Sequence, residues 1–427
     1  MPDVYVAEVG LIPFGKYPDK GIKDLTVMLM KNLFDASPVA QDEIEAAWMG
    51  NAGWGMSTGQ HCIRGQVALS ACGIGEIPIM NVENACAGGS SAFHGAYLGI
   101  AAGAYDVALA VGVEKMSVPR DANAETKRKS FEGFLAGTDV EVTTKLIARM
   151  QAEAEEKRKE LEKSGKIKKG EGGGARSPFM DIYSTASRVH MERYGTTQEQ
   201  LAIIAAKNHH HGSLNPVAQY RMTMTVEEVM NDRLVSFPLT RAMCAPMGDG
   251  AAAAILVSDD YLRRLADARP VKVRASVLAS GGLERRNHAK RAAEKAYAQA
   301  GVGPDEIDTA EVHDATAFGE LAMCENLGFC AEGEGGRYAE SGATRLGGAR
   351  PINTSGGLEC RGHPIGATGL AQIAEIVQQL RGEAGERQVA GARLGLCENG
   401  GGFIGQGEAA IAIHIFEGPP EGGARRS

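Results

Sequence analysis

Short apolar runs alternate with longer stretches of helical spacing along most of this chain. Residues 4–9 predict a strand, 22–33 a helix and 46–50 a second short strand. A strand over 78–82 leads into a small-residue helix from about Ser90 to Gly103, rich enough in Gly and Ala to pack closely on most sides, and then a buried strand over 107–113. The alternation resumes with strands over 251–257, 271–280 and 309–313, helices over 289–300 and 317–327, and a strand end at 351–354. A long helix over 365–379 and strands over 393–397 and 409–416 close it. Strand–helix–strand order of this kind predicts a parallel or mixed sheet with helices on its faces.

The texture changes between 119 and 246. Residues 141–172 carry a dense charge run with few apolar positions, which predicts a solvated helix followed by a flexible loop at 168–174. Two amphipathic helices follow over 180–208, split at Gly195-Thr196-Thr197, with Thr197 placed to cap the second. The interval is expected to be an insertion into the sheet domain, and the Pro/Gly-rich basic tail 418–427 to be disordered. A weak internal repeat is visible as well. Pro78-Ile-Met-Asn-Val-Glu-Asn-Ala-Cys-Ala-Gly-Gly is echoed by Pro351-Ile-Asn-Thr-Ser-Gly-Gly, each a strand that ends in polar and glycine residues and opens a helix. Two copies of one sheet-and-helix unit would account for the chain's 427 residues.

Composition narrows the classes. The 56 glycines are nearly twice the usual ~7% and show no Gly-X-Y period, so they point to tight turns and close backbone approaches. A net charge of −8 gives no nucleic-acid footprint. The eight cysteines are sparse and none falls in a CxxC pair, which removes the usual support for disulfide scaffolds, zinc ribbons and thioredoxin-like sites. The N-terminus lacks the basic-then-apolar order of a secretory signal. The most apolar stretch, 92–113, is interrupted by His94, Asp106 and glycines, so no membrane span is expected. These features together predict a cytoplasmic protein.

Three residues stand where chemistry is done. Cys86, in Asn84-Ala85-Cys86-Ala87-Gly88-Gly89, lies at a strand-to-helix turn, where the positive end of the helix favours a thiolate and the glycines let N–H groups reach an oxyanion. His313 ends a strand, and His363, in Gly362-His363-Pro364-Ile365-Gly366, precedes a helix. Singly, each would serve as well in a core; together they supply the nucleophile and the base that thiol catalysis requires. His209-His210-His211 reads as a solvated helix end, Cys324 and Cys330 as residues of the core or just behind the site, and Cys360 as a residue that could lie near the site.

The strings Asn84–Ser91, His313-Asp314, Asn353-Thr354-Ser355-Gly356-Gly357, Gly362–Gly369 and Gly248-Asp249-Gly250 resemble the thiolase superfamily, from the N-terminus to about Phe416. His313-Asp314 is closest to the sterol-carrier-protein-type branch, with benzoylsuccinyl-CoA thiolase as a narrower type. The resemblance implies an α/β thiolase fold: duplicated βαβαβαββ halves in five layers, α-β-α-β-α, with an inserted helical loop domain. The halves would span 1–118 with 247–265, and 266–417, the loop domain 119–246 and the tail 418–427. It further implies a CoA-dependent acyltransferase that cleaves a 3-oxoacyl-CoA, or runs the reverse Claisen condensation, through an acyl thioester on Cys86. His363 would take the Cys86 proton and His313 would complete one oxyanion hole. Backbone N–H groups near Cys86 and Gly400 would form a second. No permanently bound cofactor is expected. CoA and acyl-CoA would be substrates, the chain a homodimer or tetramer, and a small zinc-ribbon/OB-fold subunit a partner. The rival reading is an inactive acyl-CoA or lipid binder.

The chain departs from that pattern at the second acid/base. Ala315 stands where sterol-carrier-type relatives have a cysteine, and the late glycine string reads Leu396-Cys397-Glu398-Asn399-Gly400-Gly401-Gly402. Alignment on the glycines puts Glu398 in the acid/base position; alignment on the cysteine puts Cys397 there. Adjacent strand residues face opposite ways, so only one of them is expected to face substrate.

Overall fold

The computed structural model describes residues 2–118, 123, 133–165, 177–265, 268–283, 287–405 and 407–419. The loop expected at 168–174 and most of the expected tail lie outside them. In chain order the principal strands are β1 (Val4–Leu11), β2 (Ala46–Gly50), β3 (Ile79–Val82), β4 (Val107–Glu114), β5 (Gly250–Ser258), β6 (Val271–Ser280), β7 (Thr309–Glu311), β8 (Leu394–Ile404) and β9 (Gly407–Glu417). They form one sheet in the order β3-β2-β4-β5-β1-β6-β9-β8-β7. Outward from the centre, the first half reads first, fifth, fourth, second, third strand. The second half repeats that order, its third strand reduced to a single bridge between Ala310 and Ile352. The halves meet antiparallel at Tyr5–Lys272 and Val6–Val271, so the internal repeat is a structural duplication.

Helices complete the layers. α1 (Ile22–Ala36) buries Ile22, Leu25, Leu29, Met30 and Leu33 on an outer face of the first half. α2 (Gly88–Ala101) and α8 (Thr368–Arg381) lie between the half-sheets, where Phe93, Ala96, Ile100, Leu370, Ile373 and Ile376 share a core with strand residues of both halves. α6 (His288–Ala300) covers the other outer face with Ala289, Ala292, Ala293 and Ala296. The result is the five-layered α-β-α-β-α arrangement implied by the resemblance. Small residues make the centre compact, as expected: a Cβ on Gly95 would fall 2.4 Å from the Trp48 indole, and one on Gly112 would fall 2.2 Å from the Gly366 carbonyl oxygen.

Between β4 and β5 the chain forms α3 (Val140–Lys163), α4 (Pro178–Tyr194) and α5 (Gln198–Ser213). Thr197 caps α5, accepting from the Gln200 N–H while the Gln200 side chain accepts from the Thr197 N–H. α7 (Ala317–Asn326) packs beside α5. Three expectations are corrected. The helix expected from 365 starts at Thr368, because residues after Pro364 close a turn first. The strand expected over 393–397 runs on through Gly400–Gly402 to Ile404, held by its hairpin with β9. His209 and His211 are buried rather than solvated, His211 between the Asn353 carbonyl oxygen and the Leu346 N–H.

Candidate active site

The amino ends of α2 and α8, one from each half, meet at the centre of the molecule and set Cys86 beside His363. Cys86 sits in a single 3₁₀ turn, Ala85–Ala87, directly before α2. The turn is tight enough that Ala85 takes φ +47°, a left-handed conformation that costs a non-glycine residue and is held by its surroundings. Asn84 donates to Ser91 Oγ (2.8 Å) and the Ala85 N–H to Glu83 (2.6 Å), which pins the turn from both sides. β8 closes over it: a Cβ on Gly401 would lie 2.2 Å from the Asn84 carbonyl oxygen.

His363 Nε2 lies 3.2 Å from Cys86 Sγ. Its Nδ1 is 2.7 Å from Thr368 Oγ1, whose own proton goes to the Pro364 carbonyl oxygen at 3.1 Å. Thr368 therefore accepts from Nδ1–H, and this network assigns the Nε2 lone pair to the thiol. Glu114, fully buried at the end of β4, ties this loop to the one after β2 by accepting from the N–H groups of Gly366 (3.2 Å), Ala52 (2.9 Å) and Gly53 (3.0 Å).

His313 is held in the opposite tautomer. Ser90 Oγ donates to Asn399 Oδ1 (3.0 Å), so Asn399 Nδ2 donates to His313 Nδ1 (3.1 Å) and His313 keeps its proton on Nε2. Its ring stands nearly perpendicular to that of His363, centroids 5.2 Å apart. The ligand atoms of Cys86, His313 and His363 all lie within 4.8 Å of one another. That is close enough for a metal, but His313 presents an N–H where a metal would need a lone pair. Next to it, Asp314 accepts from the Leu358 N–H (2.7 Å) and from Asn208 of α5 (3.1 Å). The buried Lys207–Glu320 pair (2.6 Å) backs this contact.

Burial dominates the electrostatics. It pushes the Cys86 thiol up to about 12, more than the N–H groups of Gly402 and of Cys86 itself draw it down. The helix end therefore does not make a resting thiolate, contrary to the expectation from sequence. Burial likewise lowers His313 to about 4 and His363 well below its ordinary value, the latter helped by His313 and Arg361. The resting pair is a neutral thiol hydrogen-bonded to a neutral imidazole. The N–H directed at the sulfur from β8 belongs to Gly402, two residues beyond the expected Gly400, which lines the cavity beside it.

Glu398 and Cys397 part company as adjacent strand residues must. Neither side chain lines the cavity itself: Cys397 is buried in the apolar layer with Phe93, Leu370 and Ile373, whereas Glu398 lies behind the cavity-lining His313 and Gly400. Glu398 Oε2 accepts from the backbone N–H of His313 (2.9 Å), while Oε1 is fully buried without a hydrogen-bond partner among the described residues. Burial, reinforced by Glu408, raises Glu398 to about 8. Cys360 is buried against Gly212, away from the cavity. The cavity itself holds about 430 Å³ and is lined by Cys86, His313, His363, Glu408 and apolar residues such as Met56 and Phe179.

A duplicated α/β fold with a thiol, two histidines of opposite tautomer and facing backbone N–H groups defines an acyl-transfer site of the thiolase class. Family models agree: the thiolase N-terminal domain matches residues 4–234 and the thiolase C-terminal domain-like model residues 275–414. The chain belongs to the thiolase family. It is 38% identical over 424 residues to an acetyl-CoA acetyltransferase of Methanothermobacter thermautotrophicus, covering 97% of this chain and 100% of that one. It is 34% identical to sterol carrier protein 2 of Rattus norvegicus (99% and 73% covered). Identity to the benzoylsuccinyl-CoA thiolase subunit BbsB of Thauera aromatica is 30% (90% and 91% covered). In fold it is similar to the Ltp2-ChsH2(DUF35) aldolase, with a TM-score of 0.74 at 20% identity, covering 98% and 99%. It is also similar to human mitochondrial 3-ketoacyl-CoA thiolase, with a TM-score of 0.67 at 16% identity, covering 98% and 99%. The chain is a CoA-dependent thiolase, and nothing in these likenesses indicates an inactive binder.

Proposed function

We propose that the chain cleaves a short 3-oxoacyl-CoA with CoA, and runs the reverse condensation, through an acyl thioester on Cys86, with Glu398 as the second acid/base. His363 Nε2 takes the thiol proton as Sγ attacks the 3-oxo carbon, so charge separation occurs only when substrate is present. The N–H groups of Gly402 and Cys86 receive the oxyanion there. His313 Nε2–H polarises the thioester oxygen of the departing half, which leaves as an enolate. Glu398 protonates that enolate at carbon, then takes the thiol proton of incoming CoA as its sulfur attacks the acyl-Cys86 thioester. Each proton given is regained, so the site returns to its starting state.

The observation that carries the Glu398 assignment is its placement: fixed by the His313 N–H, with one oxygen unsatisfied, while Cys397 faces the apolar layer. The high identity to an acetyl-CoA acetyltransferase along the whole chain supports a small acyl group; an aromatic 3-oxoacyl-CoA of the benzoylsuccinyl type is the alternative. A homo-oligomer in the cytoplasm, working with a small zinc-ribbon/OB-fold subunit, completes the reading, and the fold likeness to the Ltp2-ChsH2(DUF35) aldolase supports such a partner. Thiolysis rates across short, long, branched and aromatic 3-oxoacyl-CoAs, with and without a co-encoded small protein, test it. A preference for aromatic over acetoacetyl substrate would reject the short-chain assignment.

A further inference from the structure

Of the two acids that line the cavity, Glu83 holds the Ala85 N–H, while Glu408 has no role in these steps. Glu408 stands near the start of β9, opposite Phe403 of β8, and lines the cavity beside Gly400, Gly401 and Gly402. Gly400 separates it from Glu398: a Cβ built on Gly400 would lie 2.9 Å from Glu408 Cγ and 3.7 Å from Glu398 Oε1. The missing side chain at 400 is what lets the two carboxyls share one space. The unpartnered Oε1 of Glu398 faces that space from complete burial. An ionised oxygen left so would forfeit its hydration without compensation.

The groups that face the pair are Tyr183 of α4, the His313 backbone N–H against Glu398, and His288 beside Glu408. Among the described residues no lysine or arginine pairs with either carboxyl, and His288 stands by Glu408 rather than Glu398. Two carboxyls so placed resist ionising together.

We propose that Glu408 is a positioning residue, the second member of a carboxyl pair that keeps Glu398 protonated and its proton directed towards the cavity wall at Gly400. The proposal rests on Glu398 being the acid of the cleavage step. When the C2–C3 bond breaks, its electron pair stays on C2 and the Glu398 O–H bond supplies the proton, leaving two carboxylates side by side. Their repulsion then favours recovery of a proton from the CoA thiol as that sulfur attacks the acyl-Cys86 thioester. Such an acid suits both tasks: weak enough to regain its proton from a thiol, strong enough to protonate an enolate carbon.

The test is the pH profile of kcat/KM for acetoacetyl-CoA thiolysis in the wild type, Glu408→Gln, Gly400→Ala and Glu398→Gln. Acyl-adduct formation on Cys86 serves as the check that each variant is folded. Wild-type activity should fall as pH rises through about 8, where Glu398 loses its proton. Glu408→Gln removes the like charge and should move that fall down by about one pH unit. Gly400→Ala pushes Glu408 aside without changing charge and should move it the same way. Glu398→Gln should lose about 100-fold or more at every pH. Wild-type profiles in both Glu408→Gln and Gly400→Ala, with Glu398→Gln inactive, would overturn the pairing alone. An active Glu398→Gln would overturn the acid assignment and the pairing with it.

Discussion

His363 Nε2 lies 3.2 Å from Cys86 Sγ with its lone pair turned to the thiol, because Thr368 occupies the other ring nitrogen. The thiol and the imidazole thus form a preset hydrogen-bonded pair. Thr368→Val keeps the shape and removes the hydroxyl, freeing His363 to reverse its tautomer. Acylation of Cys86, followed by stopped-flow thiolysis, should slow by about 10-fold or more, and His363→Ala by about 10²–10⁴-fold. Unchanged acylation in Thr368→Val would show that the tautomer is set elsewhere.

A thiol pushed up to about 12 holds almost no thiolate in the free enzyme near neutrality. Alkylation of Cys86 by iodoacetamide without substrate should therefore keep rising with pH through pH 9. A plateau below pH 8 would mean that a thiolate–imidazolium pair already exists at rest.

Asn399 should matter through His313 alone. In Asn399→Asp the carboxylate would accept from Nδ1–H, move the lone pair to Nε2 and remove the donor from the cavity. The expected loss in kcat is about 10²–10³-fold, with a raised His313 pKa seen by NMR titration. Wild-type kcat in this variant would remove His313 from the oxyanion hole.

The buried Lys207–Glu320 pair joins α5 to α7 behind Asp314, both side chains about 1% exposed. Lys207→Ala strands a carboxylate in the interior and should destabilise the fold by about 3–5 kcal/mol, measured by urea unfolding. A cost under about 1 kcal/mol would mean that water reaches Glu320.

Much of this architecture was legible in the sequence because period and punctuation are local. The strands, the small-residue helix after Cys86, the Thr197 cap and the duplicated unit all follow from neighbouring residues. The three residues Cys86, His313 and His363 were legible as loop-end chemistry, and the structure brings them together. What was not legible depends on the other half of the chain. The partners Ser90 and Asn399 are 309 residues apart, and only the packing of α2 against β8 makes them a unit. The Cys397–Glu398 ambiguity needed the strand's facing, which one residue of register decides. The buried His209 and His211 misled because α5 is polar in composition yet enclosed between the Asn353 loop and its neighbours. The Cys86 thiol misled because burial outweighs a helix end, and burial is a property of the whole fold.

The central claim is that Cys86 carries the acyl group. The direct test is intact-protein mass spectrometry after mixing the protein with acetoacetyl-CoA in the absence of free CoA. A mass increase of one acetyl group is expected, located on Cys86 by peptide mapping, discharged on addition of CoA and absent in Cys86→Ala. An unmodified chain under conditions of turnover, or an adduct on another cysteine, would contradict it.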